Sequence, residues 1–352
     1  MMVSREIMRS TARGFRRYYS PKPGDLLRMD TNTNVLGPNP AAAAYLAANA
    51  ADIGGYPDTY SDGLRSALAD LYGLQTENLV AGNGSDEMLD VIFKTFTEWN
   101  DACVVPVPSY TLYDFFVRVN GGRTVEAELT EDFRLDVDAI VAGDAKVTIM
   151  PSPNNPTGNA FRRADIEAVL SRSDGIVVVD EAYAEYSPGD SMIGRVDEFD
   201  NLVVLRTFSK AYAMAGLRVG YAAANPALAE MMNCVRIPYS LNALCEGAAV
   251  AAVGDQGFIG RSRAMVAEQR PRLARGLAAL GFEPFPSDAN FILARSPVDH
   301  AGLVARLRDK GILIRDFGDR RRTEGCVRMT VGTEELNRRM LEGIAAVLEE
   351  FP

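Results

Sequence analysis

The stretch RTFSKAYAMAGLRVGY, residues 206–221, sets Lys210 and Arg218 among residues that are mostly small or apolar. Taking an ammonium out of water costs several kcal/mol unless it is partnered or loses its proton. Lys210 is therefore either part of a solvated turn beside an unrelated arginine or an amine kept in a dry pocket for covalent chemistry. Arg218 adds a planar fork that matches phosphate or carboxylate oxygens.

Three further clusters hold polar residues where strands are expected to end. In AGNGSDE (81–87) glycines would let backbone N–H groups at a helix start approach a phosphate, a geometry the helix dipole also favours. The same residues also suit an ordinary strand-to-helix turn. A dinucleotide fingerprint fails here, because Glu87 stands where the third glycine belongs. MPSPNNPTGN (150–159) has the composition of a loop after a strand. In VVVDEAYAEY (177–186) Asp180 closes an apolar run, either as a helix cap or as a carboxylate held for a cationic partner.

The elements that must position these clusters are legible as short apolar runs at 78–82, 102–107, 146–150, 176–181, 201–207 and 218–224. Such runs lack alternation, so they predict strands buried on both faces, as in a parallel sheet covered by helices. SDEMLDVIFKTFTEWN and RRADIEAVLSRS between them have helical spacing, and AAAAYLAANAA reads as helix. Open α/β sheets bind ligands at the carboxyl ends of their strands, where all four clusters fall.

Beyond this α/β centre, Pro271 is expected to open a helix, followed by a strand at 289–295, a helix from Asp299, strands at 312–317 and 326–332, and a helix from Glu334. That order predicts a smaller α+β domain. The expected division is 1–40 as an arm with part of the small domain, 41–255 as the large domain and 256–352 as the small one.

Composition narrows the chemistry. The 352 residues carry a net charge of −10, which disfavours a nucleic-acid surface, and 47% are hydrophobic, enough for a large core. A lone histidine, His300, and four scattered cysteines argue against a zinc site or a Ser/His/Asp triad, so no metal is expected. No apolar run approaches bilayer length, and the cysteine usage fits a reducing compartment, so the cytoplasm is expected. The basic N-terminal stretch (Arg5, Arg9, Arg13, Arg16, Arg17, Lys22, Arg28) has no apolar core of a secretory signal; an organelle transit peptide and an arm packed on the fold or a partner subunit remain open.

NNPTG, DEAYAEY and TFSKAYAMAGLRVGY, in this order, resemble the class I/II aminotransferases, the pyridoxal-phosphate (PLP) family of fold type I, and are most similar to its histidinol-phosphate aminotransferases. YPD, GNGSDE, PSYTLY, SDANF and CVRMTVGT support the resemblance, which runs from about Asn32 to the C-terminus. It implies a homodimer acting on small molecules, without nucleic acid or membrane partners. Lys210 would bind PLP covalently, Asp180 would pair with the pyridine nitrogen, and Tyr183 and Asn155 would bond the ring's phenolic oxygen. Tyr110 would stack on the ring. The phosphate would be held by the backbone at Ser85 and Asp86, by Ser209 and Arg218, and by Tyr56 from the partner subunit. Arg315 and Arg328 would hold the substrate's anionic group, with Tyr18 or Tyr19 reaching the same group; by its residues alone, Arg315 could equally pair with Asp316 or Asp319. One departure stands out: where the family has Asn-Glu-Asn-Pro, this chain reads TNTNVLGPNP, with Thr33 and Val35 at the glutamate and proline positions.

The implied reaction is transfer of an amino group from histidinol phosphate to 2-oxoglutarate. Transamination of aromatic or other amino acids and decarboxylation of threonine phosphate are alternatives on the same fold. A nicotinamide-dependent oxidoreductase would leave Lys210, NNPTG and DEAY without a role.

Overall fold

The computed structural model describes residues 5–17, 26–187, 189 and 191–351. A two-residue strand, β1 (Leu27–Arg28), precedes helices α1 (Pro40–Ala48) and α2 (Asp62–Tyr72). There follow β2 (Leu79–Gly82), α3 (Ser85–Phe96), β3 (Ala102–Val107), α4 (Leu112–Val119), β4 (Arg123–Glu128), α5 (Val137–Val141) and β5 (Val147–Pro151). Then come α6 (Arg163–Arg172), β6 (Ile176–Asp180), β7 (Leu202–Thr207), β8 (Gly220–Ala224), α7 (Pro226–Val235), α8 (Ala243–Gly254) and α9 (Gln256–Ala279). The chain ends with β9 (Glu283–Pro284), β10 (Phe291–Arg295), α10 (His300–Asp309), β11 (Ile312–Leu313), β12 (Arg315–Asp316), β13 (Cys326–Thr330) and α11 (Glu334–Leu348).

Strands β2 to β8 form one sheet in the order β2-β8-β7-β6-β5-β3-β4. Neighbours pair in parallel from β7 to β4, and β8 runs against both β2 and β7. Successive strand residues point to opposite faces. Val178, Val203 and Leu205 therefore join a core with Met88, Ile92 and Tyr113 of α3 and α4. Val177, Val179 and Val204 join a second core with Leu64, Ile166 and Ala248 of α2, α6 and α8. Covering on both faces is why these strands read as unbroken apolar runs, and the expected mostly parallel α/β sheet is the one that forms.

A second, antiparallel sheet has the order β12-β13-β10-β9, and β1 pairs in parallel with β11. Here the structure differs from the sequence reading in three places. Pro271 lies inside α9 rather than opening a helix. A proline costs a helix one backbone hydrogen bond, but α9 is held from both ends by buried Phe258, Ile259 and Val266 on one side of Pro271 and Leu273 and Leu277 on the other. The 312–317 segment divides into β11 and β12, which belong to different sheets. Strand β4 was not anticipated, because at the sheet edge its RTVEAE is only partly buried and carries no apolar run. Among the described residues no helix is long and apolar enough to cross a membrane.

Ile149 on β5 is fully buried in the α3/α4 core, whereas Val125 on edge strand β4 is only half-buried. Ile149→Ala should lower stability by about 2–5 kcal/mol and Val125→Ala by clearly less, read by urea unfolding. Equal losses would contradict the layering.

Candidate active site

The last residue of β6, Asp180, and the loops leaving β5 and β7, with Asn155 and Lys210, come to the same sheet end, as parallel strands must. Because β8 is reversed, the residue ahead of it, Arg218, arrives at that end too, opposite the turn after β2, with Gly82 paired to Gly220. These residues line one cavity of about 970 Å³, together with Ser85, Asp86, Tyr110, Tyr183, Ser209, Arg315 and Arg328.

The turn into α3 is shaped by absent side chains. Gly84 has φ +88°, and a Cβ there would lie 2.8 Å from Arg218 Nη2. A Cβ on Gly220 would lie 2.2 Å from the Ser85 amide nitrogen. The α3 amides of Ser85 and Asp86 find no acceptor among the described residues, as expected of a helix's first turn. Glu87 accepts from the Asn83 amide, which gives that residue a role a third glycine could not fill. Arg218 donates to Ser209 Oγ at 3.1 Å and to Asp86 Oδ2 at 3.0 Å. It is held in the left-handed region (φ 52°), as is Ala213 (φ 56°), so these two residues bend the turn between Lys210 and β8. Free amides, a hydroxyl and a guanidinium around a cradle that no Cβ could enter fit a phosphate.

Asp180 is buried at the end of β6. Its Oδ2 accepts from the Tyr113 hydroxyl at 2.7 Å and its Oδ1 from the Ala182 amide at 3.0 Å. Burial pushes its pKa up to about 6, against the lowering effect of those two hydrogen bonds. Burial, and next the Asp180 charge, raise the Tyr113 hydroxyl well above its usual range, so it stays a donor. A carboxylate so desolvated is completed by a cation, and a protonated pyridine nitrogen is one that fits. Tyr110 meets Tyr113 edge to face with centroids 5.4 Å apart.

Lys210 Nζ donates to the Thr31 carbonyl at 3.0 Å and stands 5.6 Å from the Tyr183 ring centre. The Tyr183 hydroxyl accepts from Asn32 at 3.1 Å. Asn34 donates to the Ala211 carbonyl and to Ser262 Oγ, each at 2.8 Å. Both asparagines of TNTN thus brace the pocket, and Thr33 and Val35 leave those bonds intact.

Arg315 and Arg328 sit directly opposite each other across β12 and β13. Two like charges so placed repel unless an anion comes between them. Arg328 is buried, donating to Asn155 Oδ1 and, at 2.7 Å, to the Asp30 carbonyl, with its guanidinium 5.2 Å from the rings of both Phe291 and Phe317. Asp316 and Asp319 are engaged by His300 at 2.9 and 3.7 Å, and neither pairs with Arg315.

Of the residues singled out in the sequence, Tyr56 stands apart: it is 87% exposed and packs on Tyr239 with centroids 5.0 Å apart. Tyr18 and Tyr19 lie outside the described residues. Sequence reasoning missed Tyr113, Asn32 and the Thr31 carbonyl. Tyr113 could have been found as the second aromatic of PSYTLY; the other two act through contacts that only folding creates.

If Asp180 must be charged to hold a protonated ring nitrogen, PLP affinity of the apoprotein should weaken as pH falls through about 6, where the acid form takes over. Titrating PLP by absorbance between pH 8 and 5 checks this; Asp180→Asn should bind more weakly and lose that pH dependence.

Comparison with known proteins supplies the family. The model for aminotransferase class I and II matches residues 25–344. The histidinol-phosphate aminotransferase 1 of Bordetella parapertussis is 39% identical over 89% of this chain and 90% of its own length. The histidinol-phosphate aminotransferase of Symbiobacterium thermophilum is 37% identical over 93% of this chain and 91% of its own. The structure of histidinol-phosphate aminotransferase from Sinorhizobium meliloti in complex with pyridoxal-5'-phosphate superposes with a TM-score of 0.87 at 28% identity, covering 92% of this chain and 90% of that one. With the family model spanning both the lysine-bearing sheet and the arginine-bearing one, this chain belongs to the class I and II aminotransferases.

Proposed function

We propose that this PLP-dependent aminotransferase transfers the amino group of histidinol phosphate to 2-oxoglutarate, forming imidazole acetol phosphate and glutamate, in histidine biosynthesis. The observation that carries the substrate is the pair Arg315 and Arg328, opposite each other on the wall of the cavity that Lys210 and Asp180 also line. Two forks there suit a phosphate in one substrate and a carboxylate in the other. The curated relatives that match most of the chain support the same substrate.

PLP, when bound, supplies an electron-withdrawing ring that spreads the negative charge developing beside the substrate's amino group. Asp180 keeps the ring nitrogen protonated, and Tyr113 and the Ala182 amide keep the carboxylate aimed. The first amides of α3, Ser209 and Arg218 would hold the phosphate, Tyr110 would stack on the ring, and Tyr183 with Asn155 would hold its phenolic oxygen. Lys210 would be the covalent anchor for PLP, and its Nζ, as a free amine, would be the base that takes and returns the substrate-carbon proton. The Thr31 carbonyl holds that amine beforehand. Asn155, bonded to Arg328, links the cofactor's place to the substrate's.

The working form in this reading is a cytoplasmic homodimer. Tyr56 and Tyr239 are exposed and pack on each other, and Tyr56 would serve the partner's phosphate site. The domain division at about residue 255 belongs to the same reading, with the second sheet supplying substrate contacts.

The purified protein should be yellow, and Lys210→Ala should retain PLP while losing turnover; wild-type kcat in that variant would remove Lys210 from its role. Comparing kcat/KM for histidinol phosphate, phenylalanine, aspartate and threonine phosphate tests the substrate, and preference for an unphosphorylated amino acid would overturn it. Arg315→Gln should raise KM for histidinol phosphate by about tenfold or more.

A further inference from the structure

The mouth of the cavity carries more positive charge than these roles use. Arg16 and Arg17, from the N-terminal segment, line it together with Arg315 and Arg320. Neither Arg16 nor Arg17 forms a hydrogen bond or ion pair with any described residue, and the same is true of Arg315. Elsewhere on this acidic chain exposed arginines do find carboxylates, among them Arg134, Arg162, Arg272 and Arg338. Guanidinium groups left without counter-charge around one cavity make an anion site.

The segment that carries them is seated against the cavity wall. Phe15 packs on Phe115 with centroids 4.9 Å apart, and the Arg118 guanidinium lies 4.6 Å from the Phe15 ring. Phe115 and Arg118 both belong to α4, the helix that starts just after Tyr110. Arg13 turns back on its own segment, donating to the Met8 carbonyl at 2.9 Å and to the Glu6 carbonyl at 2.6 Å. Arg16 and Arg17 are thereby set beside the cofactor's wall, while Arg315 approaches from the second sheet.

We propose that Arg16 and Arg17 are specificity-determining residues that complete the substrate's phosphate site together with Arg315. The proposal rests on the phosphorylated-amine reading given above. A phosphate monoester brings three acceptor oxygens and a charge of about −1.5 to −2 at neutral pH. Arg328 already spends two donors on Asn155 and the Asp30 carbonyl, so Arg315 alone would leave such a group under-neutralised. The two arm arginines supply the remaining charge and donors, and a substrate lacking the phosphate gains nothing from them.

In the PLP-loaded full chain, Arg16→Gln combined with Arg17→Gln should raise KM for histidinol phosphate by about tenfold or more, with a smaller change in kcat. KM for unphosphorylated histidinol should move far less, and inorganic phosphate, titrated calorimetrically into the PLP-loaded protein, should bind more weakly to the variant. An unchanged KM for histidinol phosphate, or an equal rise for both substrates, overturns the proposal. Should the wild-type enzyme not turn over histidinol phosphate, the substrate reading fails and the calorimetry decides: weaker phosphate binding in the variant supports the proposal, and equal binding overturns it.

Discussion

A carboxylate buried at the end of a central strand is the constraint around which this molecule is arranged. Desolvation alone would leave Asp180 protonated at mildly acid pH, and two donated hydrogen bonds oppose that only in part. What completes the site is a positive charge in the cavity, and the parallel strands on either side deliver the residues that would hold its carrier. The next residue shows the same economy of placement. Glu181 takes the opposite face, where Arg206 bonds it and Glu185 in a buried cluster that also engages Ser191. Adjacent acids thus have separate tasks, one facing the cavity and one fastening the strand ends behind it.

A second constraint is how closely two backbones approach. Strand β8 meets the start of α3 so tightly that a Cβ on Gly220 would collide with the Ser85 amide, while Gly84 is kept bare by its positive φ and by the Arg218 guanidinium beside it. That contact aims the α3 amides and Arg218 at one point. Left-handed backbone at Arg218 and Ala213 is uncommon for residues with a Cβ and is tolerated here because both flanking elements are pinned to the sheet.

Much of this was legible beforehand, for definite reasons. Buried parallel strands need apolar side chains on both faces, so β2, β3, β5, β6 and β7 announce themselves as runs; β4 does not, because its outer edge meets water. The helix start at Glu334 was readable because Thr333 caps it, accepting from the Leu336 amide. Pro271 misled because proline's preference for first turns is local, while the burial that keeps it inside α9 comes from distant elements. The motif residues cluster as their order along the sheet requires. Tyr113, Asn32 and the Thr31 carbonyl stayed hidden because a hydroxyl, an amide and a backbone oxygen acquire a role only from what they face.

The sequence by itself determined the chemistry on offer: a lysine, an acid, and asparagine and tyrosine partners placed just beyond apolar runs, together with arginine forks. Only the tertiary structure decided which of those groups meet. It reversed β8 so that Arg218 reaches the α3 amides, set Arg315 opposite Arg328 across two strands, turned Asp316 and Asp319 toward His300 and away from Arg315, and brought Arg16 and Arg17 to the cavity by packing Phe15 on α4. The reason is physical. Residue type and local periodicity fix what a side chain can do and which face it takes, whereas charge pairing and desolvation depend on neighbours that are far apart in the chain.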